Sequence, residues 1–234
     1  MLKIRNKGDR AADLYVTGTI VDDDVGGCLE SWGDPGTGYE WPKAIRQQLD
    51  ELKGRDLTVY INSDGGSVPA GVAIANMVAR HDGRTTAVVD GWCCSIATQI
   101  FFAADERRMP ANAYLMIHKP SVTVTGDADQ LLETAAALDT IQEGLETTYR
   151  AAAREGTSAQ QIHDMTNAET WLTGAEAAEL FHIELTEPVK AVACAGVAAR
   201  FDHIPDGVRA VDDDQARAEV DAALANARGV LMQS

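Results

Sequence analysis

Apolar and polar positions follow two periods along this chain, and stretches of one period alternate with stretches of the other. DLYVTGTIV (13–21), LTVYINS (57–63) and RTTAVVD (84–90) are rich in β-branched residues and predict strands. Between the first two, Pro42 fits the first turn of a helix whose Ile45, Leu49 and Leu52 fall on one face. SVPAGVAIANMVARH (67–81) predicts the next helix, and DGWCCSIATQI (90–100) follows the third strand and opens a further, apolar one. AYLMIH (113–118) and SVTVT (121–125) predict short strands. A long helix is expected from Asp127 to about Glu155, carrying Leu131, Leu138, Ile141 and Leu145, and Thr173 with Glu176 forms a capping box that starts a short one. The Gly-rich, aromatic stretch 26–41 reads as a loop.

This alternation predicts an α/β domain over residues 1–189. Residues 190–210, rich in Ala and Gly, read as a linker, and 211–234 as an acidic, exposed helical tail.

Composition narrows the setting. Lys plus Arg number 20 against 36 for Asp plus Glu, a net charge of −16, so the chain has little with which to bind a phosphate backbone. No window approaches 18 consecutive apolar residues, and the N-terminal stretch lacks an apolar core of signal-peptide length, which predicts neither a membrane span nor export. Cys28, Cys93, Cys94 and Cys194 have no zinc-like pairing and make a poor disulfide framework. A reducing, cytoplasmic compartment is the simplest expectation, with neither metal nor cofactor implied.

Three places carry candidate chemistry. Paired glycines in INSDGGSVPAG (61–71) end a strand and let a substrate backbone approach bare N–H groups, although tight strand-to-helix turns use glycine for sterics alone. Ser95 stands where a strand ends and an apolar helix opens, the place of an ordinary N-cap serine but also of a nucleophile whose following amide faces a developing oxyanion. Cys93 and Cys94 fit a space-filling role, with a thiol nucleophile at Cys94 as the lesser alternative. His118 ends a strand whose alternation buries its neighbours, and a lone histidine there is usually structural.

Together YINSDGGSVPAG, DGWCCSIAT, MIHKPS, GDAD and ETWLTGAEA resemble the Clp peptidase family, and within it the phage-type head maturation or prohead proteases. In that family the second glycine of the turn precedes the nucleophilic serine by 29 residues, as Gly66 precedes Ser95 here. The resemblance runs from about Leu14 to Val189. It implies the spiral of β-β-α units shared with crotonases, with the long helix projecting as a handle. It also implies a triad of Ser95, His118 and an acid. The family's aspartate register lands on Glu169, with Asp164 as the alternative. The oxyanion hole would be the backbone N–H groups of Gly66 and Ile96. Substrate would lie against Gly65, Ser67 and Val68 on one side and Pro120, Ser121, Val122 and Thr123 on the other, as an added strand.

The implied function is a serine endopeptidase that processes scaffold or capsid proteins in the host cytoplasm or the prohead. Surplus apolar positions on the long helix add the expectation of a homo-oligomer with cyclic symmetry, and the resemblance implies that it is a ring. Relatives that work with an ATPase ring carry a longer N-terminal segment, so that partnership is not expected, though it stays open. Two other classes stay open as well: an acyl-CoA enzyme of the crotonase type, in which Ser95, His118 and Glu169 would have no task, and an inactive ring-forming subunit.

Overall fold

The computed structural model describes residues 5–6, 10–31, 38–188 and 204. The linker and the acidic tail expected beyond residue 189 lie outside the described residues, Ile204 excepted. In chain order the elements are β1 (Arg5–Asn6), β2 (Ala11–Ile20), α1 (Asp23–Ser31), β3 (Tyr39–Glu40), α2 (Pro42–Glu51), β4 (Asp56–Gly66), α3 (Val68–Ala79) and β5 (Thr85–Cys94). There follow α4 (Ala97–Phe102), β6 (Glu106–Pro110), β7 (Tyr114–Ile117), α5 (Ala128–Ala152), α6 (Ala159–Asn167), β8 (Thr170–Thr173), α7 (Gly174–Leu180) and β9 (Glu184–Thr186).

The strands form a single sheet in the order β1-β2-β4-β5-β6-β9, parallel from β2 onward. Its turning point is β5. Thr86–Val88 pair with β6, whereas Trp92–Cys94 leave that neighbour and pair with β7, so the sheet splits at Asp90–Gly91 and winds on itself. β8 then adds antiparallel to β7. One face of the sheet is covered by helices, and the core there gathers Leu14, Val59, Ile61, Val89, Ile100 and Phe101, each fully buried. The predicted face of α2 is the one that packs, since Ile45, Leu49 and Leu52 are all buried. Burial alternates along β4, and on the opposite face Tyr15 and Tyr60 stack with ring centroids 5.1 Å apart.

Four expectations are corrected. Residues 26–31 are helical, not loop: they complete α1, with Gly26 packed so closely on the Trp41 ring that no side chain would fit. The stretch 91–94 continues β5 because β7 supplies a second ladder, so the helix opens only after Ser95 and spans the six residues Ala97–Phe102. Residues 121–125 form no strand; they are exposed and pair with none of the described strands, and an extended segment needs a partner to become a ladder. The strands β6, β8 and β9 and the helix α6, all short, were not anticipated by the periodicity.

The long helix is capped as its sequence implies, by a box in which Asp127 and Gln130 satisfy each other's backbone N–H. Its first half, residues 128–140, buries no side chain, whereas Leu145, Tyr149 and Ala152 join the core. It therefore projects from the domain.

Candidate active site

The position of Ser95 is built by β5. Its last residue, Cys94, hands the chain to Ser95 at φ 54°, a left-handed conformation that costs an ordinary residue about 1–2 kcal/mol. Surrounding bonds hold it. The Ser95 N–H donates to the Met116 carbonyl at 2.9 Å, and the Ser95 carbonyl accepts from the Thr98 N–H at 3.1 Å and the Thr98 hydroxyl at 2.6 Å. The Thr98 hydroxyl in turn meets the buried Tyr149 hydroxyl at 2.7 Å, which ties the elbow to the base of α5.

The bond to Met116 also fixes the distance to His118, two residues further along. Ser95 Oγ lies 2.7 Å from His118 Nε2. Serine donates in that contact when the imidazole proton sits on Nδ1, and Nδ1 faces Glu169 Oε2 at 4.0 Å. The antiparallel register explains why Glu169 is there. Tyr114 pairs with Thr173 and Ile117 with Thr170, and one further step sets Glu169 opposite His118. Glu169 has φ 50°, so among the described residues the two non-glycine positions at positive φ are Ser95 and Glu169. Strain of this kind concentrates where a fold over-determines a side chain's place.

Both partners are mostly buried, with 20% of the His118 side chain and 13% of the Glu169 side chain exposed. Burial lowers the His118 pKa below its ordinary value, and the Glu169 charge opposes part of that shift. The ring is thus neutral near pH 7, the form able to accept a proton. Asp164 is elsewhere: exposed on α6, it accepts from Gln160 Nε2 at 2.9 Å.

The glycine turn closes over the serine. A Cβ on Gly65, at φ +90°, would stand 2.7 Å from Ser95 Cβ and 3.2 Å from the Ile96 nitrogen, and one on Gly66, at φ +142°, would collide with the Ile20 carbonyl. Only glycine meets both demands. Ser63, fully buried, shapes this turn by donating to the Gly18 carbonyl at 2.6 Å and accepting from the Gly65 N–H at 3.1 Å. The Gly66 amide is next along the turn, and Ile96 opens α4, where first-turn N–H groups lack intrahelical partners.

Of the expected contact residues, Ser67 caps α3 and also donates to Asp22 Oδ1 at 2.6 Å. Val68 begins an apolar groove of about 600 Å³ that passes Val72, Gln99, Ile141 and Leu145. Pro120, Ser121, Val122 and Thr123 follow His118 directly, with Val122 56% exposed. Cys93 and Cys94 are both fully buried and face opposite sides of the sheet, Cys93 toward the helices and Cys94 toward Trp92 and Met116. Burial pushes the Cys93 thiol far up. Neither is presented at the site.

Sequence reasoning missed Ser63, Asn62 and Trp171. The side chain of Asn62 accepts from the Trp92 N–H at 3.0 Å and so holds β5 where it changes partner. The available signal was the pair of polar residues Asn62–Ser63 closing an otherwise apolar strand. Among the described residues no group of three or more His, Cys, Asp or Glu is arranged to hold a metal ion, and no helix is long and apolar enough to cross a membrane.

A parallel, split sheet with an elbow serine, a strand-end histidine and a projecting helix defines an α/β protein of the Clp peptidase fold. Residues 43–184 match the family model described as Clp protease, and the chain belongs to that family. Two curated relatives from strains of Bacteroides fragilis, each called an ATP-dependent Clp protease proteolytic subunit, are 29% identical over 128 residues, or 54% of this chain. The chain spans 61% and 57% of their lengths. A mutant of ClpP1 from Listeria monocytogenes has the same fold, with a TM-score of 0.58 and 22% identity, covering 75% of this chain and 91% of that one.

Proposed function

We propose that this protein is a serine endopeptidase whose nucleophile, base and acid are Ser95, His118 and Glu169. The carrying observation is the 2.7 Å contact between Ser95 Oγ and His118 Nε2, with Glu169 on the far edge of the same ring. In this reading Ser95 Oγ attacks the peptide carbonyl carbon while His118 Nε2 takes its proton. The negative charge that forms on the carbonyl oxygen is met by the N–H groups of Gly66 and Ile96, and Glu169 stabilises the imidazolium. Collapse breaks the C–N bond, and His118 protonates the departing amine. Water, deprotonated by His118, then releases the acyl group and restores Ser95. Substrate backbone pairs with Pro120–Thr123, a segment that pairs with none of the described strands and is exposed from Ser121 onward, and the groove starting at Val68 takes an apolar side chain.

The test is a serine-directed fluorophosphonate probe followed by peptide mass mapping. Labelling at Ser95 that disappears in His118→Ala supports the reading. An unlabelled wild type would sink it and favour an inactive ring-forming subunit.

The substrate we infer is a scaffold or capsid protein cleaved during phage head maturation, by a homo-oligomeric ring. The five-motif resemblance to phage-type proteases supports this. The names of the two curated relatives favour a second reading, a proteolytic subunit served by an ATPase. Co-expression with the genomic neighbours separates them: capsid or scaffold cleavage in ATP-depleted lysate supports the first, and strict dependence on ATP and a host ATPase supports the second.

A further inference from the structure

Glu169 is one methylene longer than the aspartate its register implies, and a longer carboxylate needs something to aim it. The indole of Trp171 is placed to do so. Its Nε1–H donates to Glu169 Oε1 at 3.4 Å, which leaves Oε2 as the oxygen turned toward His118 Nδ1. The ring itself is fixed from two sides. It stands edge-on to Trp92, with centroids 5.2 Å apart and planes at 87°, and Trp171 pairs across the ladder with Met116, the residue whose carbonyl holds the Ser95 N–H. Trp92, Cys94 and Met116 are buried in this cluster, and so is Ile204, 5% exposed although it comes from far along the chain. The donor is thus locked to the same two strands that carry Ser95 and His118.

We propose that Trp171 is a positioning residue for the acid: its indole N–H fixes one carboxylate oxygen of Glu169 so that the other faces His118. This rests on the triad reading above. A carboxylate bound at one oxygen loses its freedom to rotate away from the imidazole, and the aromatic cluster behind the indole keeps the donor from following it. The ionisable pair that Trp171 acts on is Glu169, ahead of β8, and His118, at the end of β7.

The experiment follows the rate of Ser95 phosphonylation by a fluorophosphonate from pH 4.5 to 8.5, which needs no natural substrate. Trp171→Phe keeps the edge-on ring and removes the N–H. The expected result is a rate about 3- to 10-fold lower, the net worth of one long hydrogen bond. The acid limb should also move to lower pH, because a carboxylate that strays raises the His118 pKa less. In a Glu169→Gln background the same substitution should add nothing further. Wild-type rate and an unmoved limb in Trp171→Phe, or full additivity with Glu169→Gln, would overturn the proposal. Should Trp171→Phe fail to fold, benzothienylalanine introduced at position 171 keeps both rings and replaces the N–H with sulfur, and the same outcomes apply. An unlabelled wild type would instead refute the triad reading, so the two failures are distinguishable.

Discussion

An alanine at position 95 carries the same left-handed backbone penalty as the serine it replaces, so Ser95→Ala deletes the hydroxyl with little other change. Hydrolysis of a fluorogenic peptide should fall by about 10⁴- to 10⁶-fold, with assembly intact by sedimentation. Cys94→Ala should retain turnover, because that thiol is buried against Trp92 and Met116. At the acid, Glu169→Gln should cost about 10²- to 10⁴-fold in kcat, whereas Asp164→Asn, on the exposed side of α6, should be nearly silent. The pH dependence follows from His118. Its pKa is lowered by burial, so activity should rise with pH through a value below 6.5 and then level off. The Glu169 charge raises that pKa, so Glu169→Gln should shift the acid limb of a kcat-against-pH profile to still lower pH.

Four strand ends meet at the site, and each contributes backbone geometry more than side-chain chemistry. The end of β4 supplies the glycine turn, the end of β5 the elbow, and β7 with β8 the ladder that sets His118 opposite Glu169. Gly65→Ala tests this level. Its Cβ would press on Ser95 and on the Cys94 carbonyl, 2.8 Å away, at a φ of +90° that L-residues rarely adopt. The strain should cost about 1–3 kcal/mol of stability in a urea titration. Activity should fall by about 10²-fold or more, since displacing the turn removes one oxyanion donor. Full activity would show that the turn is structural punctuation alone.

At the scale of the whole molecule, apolar surface among the described residues stays exposed on the projecting helix. Leu132 is 69% exposed and Leu131 45% on the projecting part of α5. A second copy of the chain is the partner expected to bury them. Sedimentation velocity at micromolar protein should give an oligomer, and Leu131→Glu with Leu132→Glu should dissociate it. A wild-type monomer would overturn this expectation.

What the sequence determined by itself was whatever depends on local chemistry: the amphipathic face of α2, the start of the long helix near Asp127, the capping box at Thr173, the strands β2, β4 and β5, and the serine and histidine picked out by motif and spacing and found side by side. Glu169 was legible by register, but with Asp164 left as an alternative, because a carboxylate's position in sequence does not say which way a helix end and the next strand turn it. The tertiary structure decided that through the β7–β8 ladder, a pairing of four-residue strands too short to show a period. It also moved 91–94 from helix to strand, since a second neighbour for β5 exists only once the sheet has split, and it made a helix of residues 26–31 by packing Gly26 on Trp41. Ser63 and Trp171 came to light the same way. Ser63 acts through a hydrogen bond to the Gly18 carbonyl, 45 residues away, and Trp171 through one to a neighbouring glutamate whose orientation the strands set, so the partner of the first and the geometry of the second exist only in the folded chain.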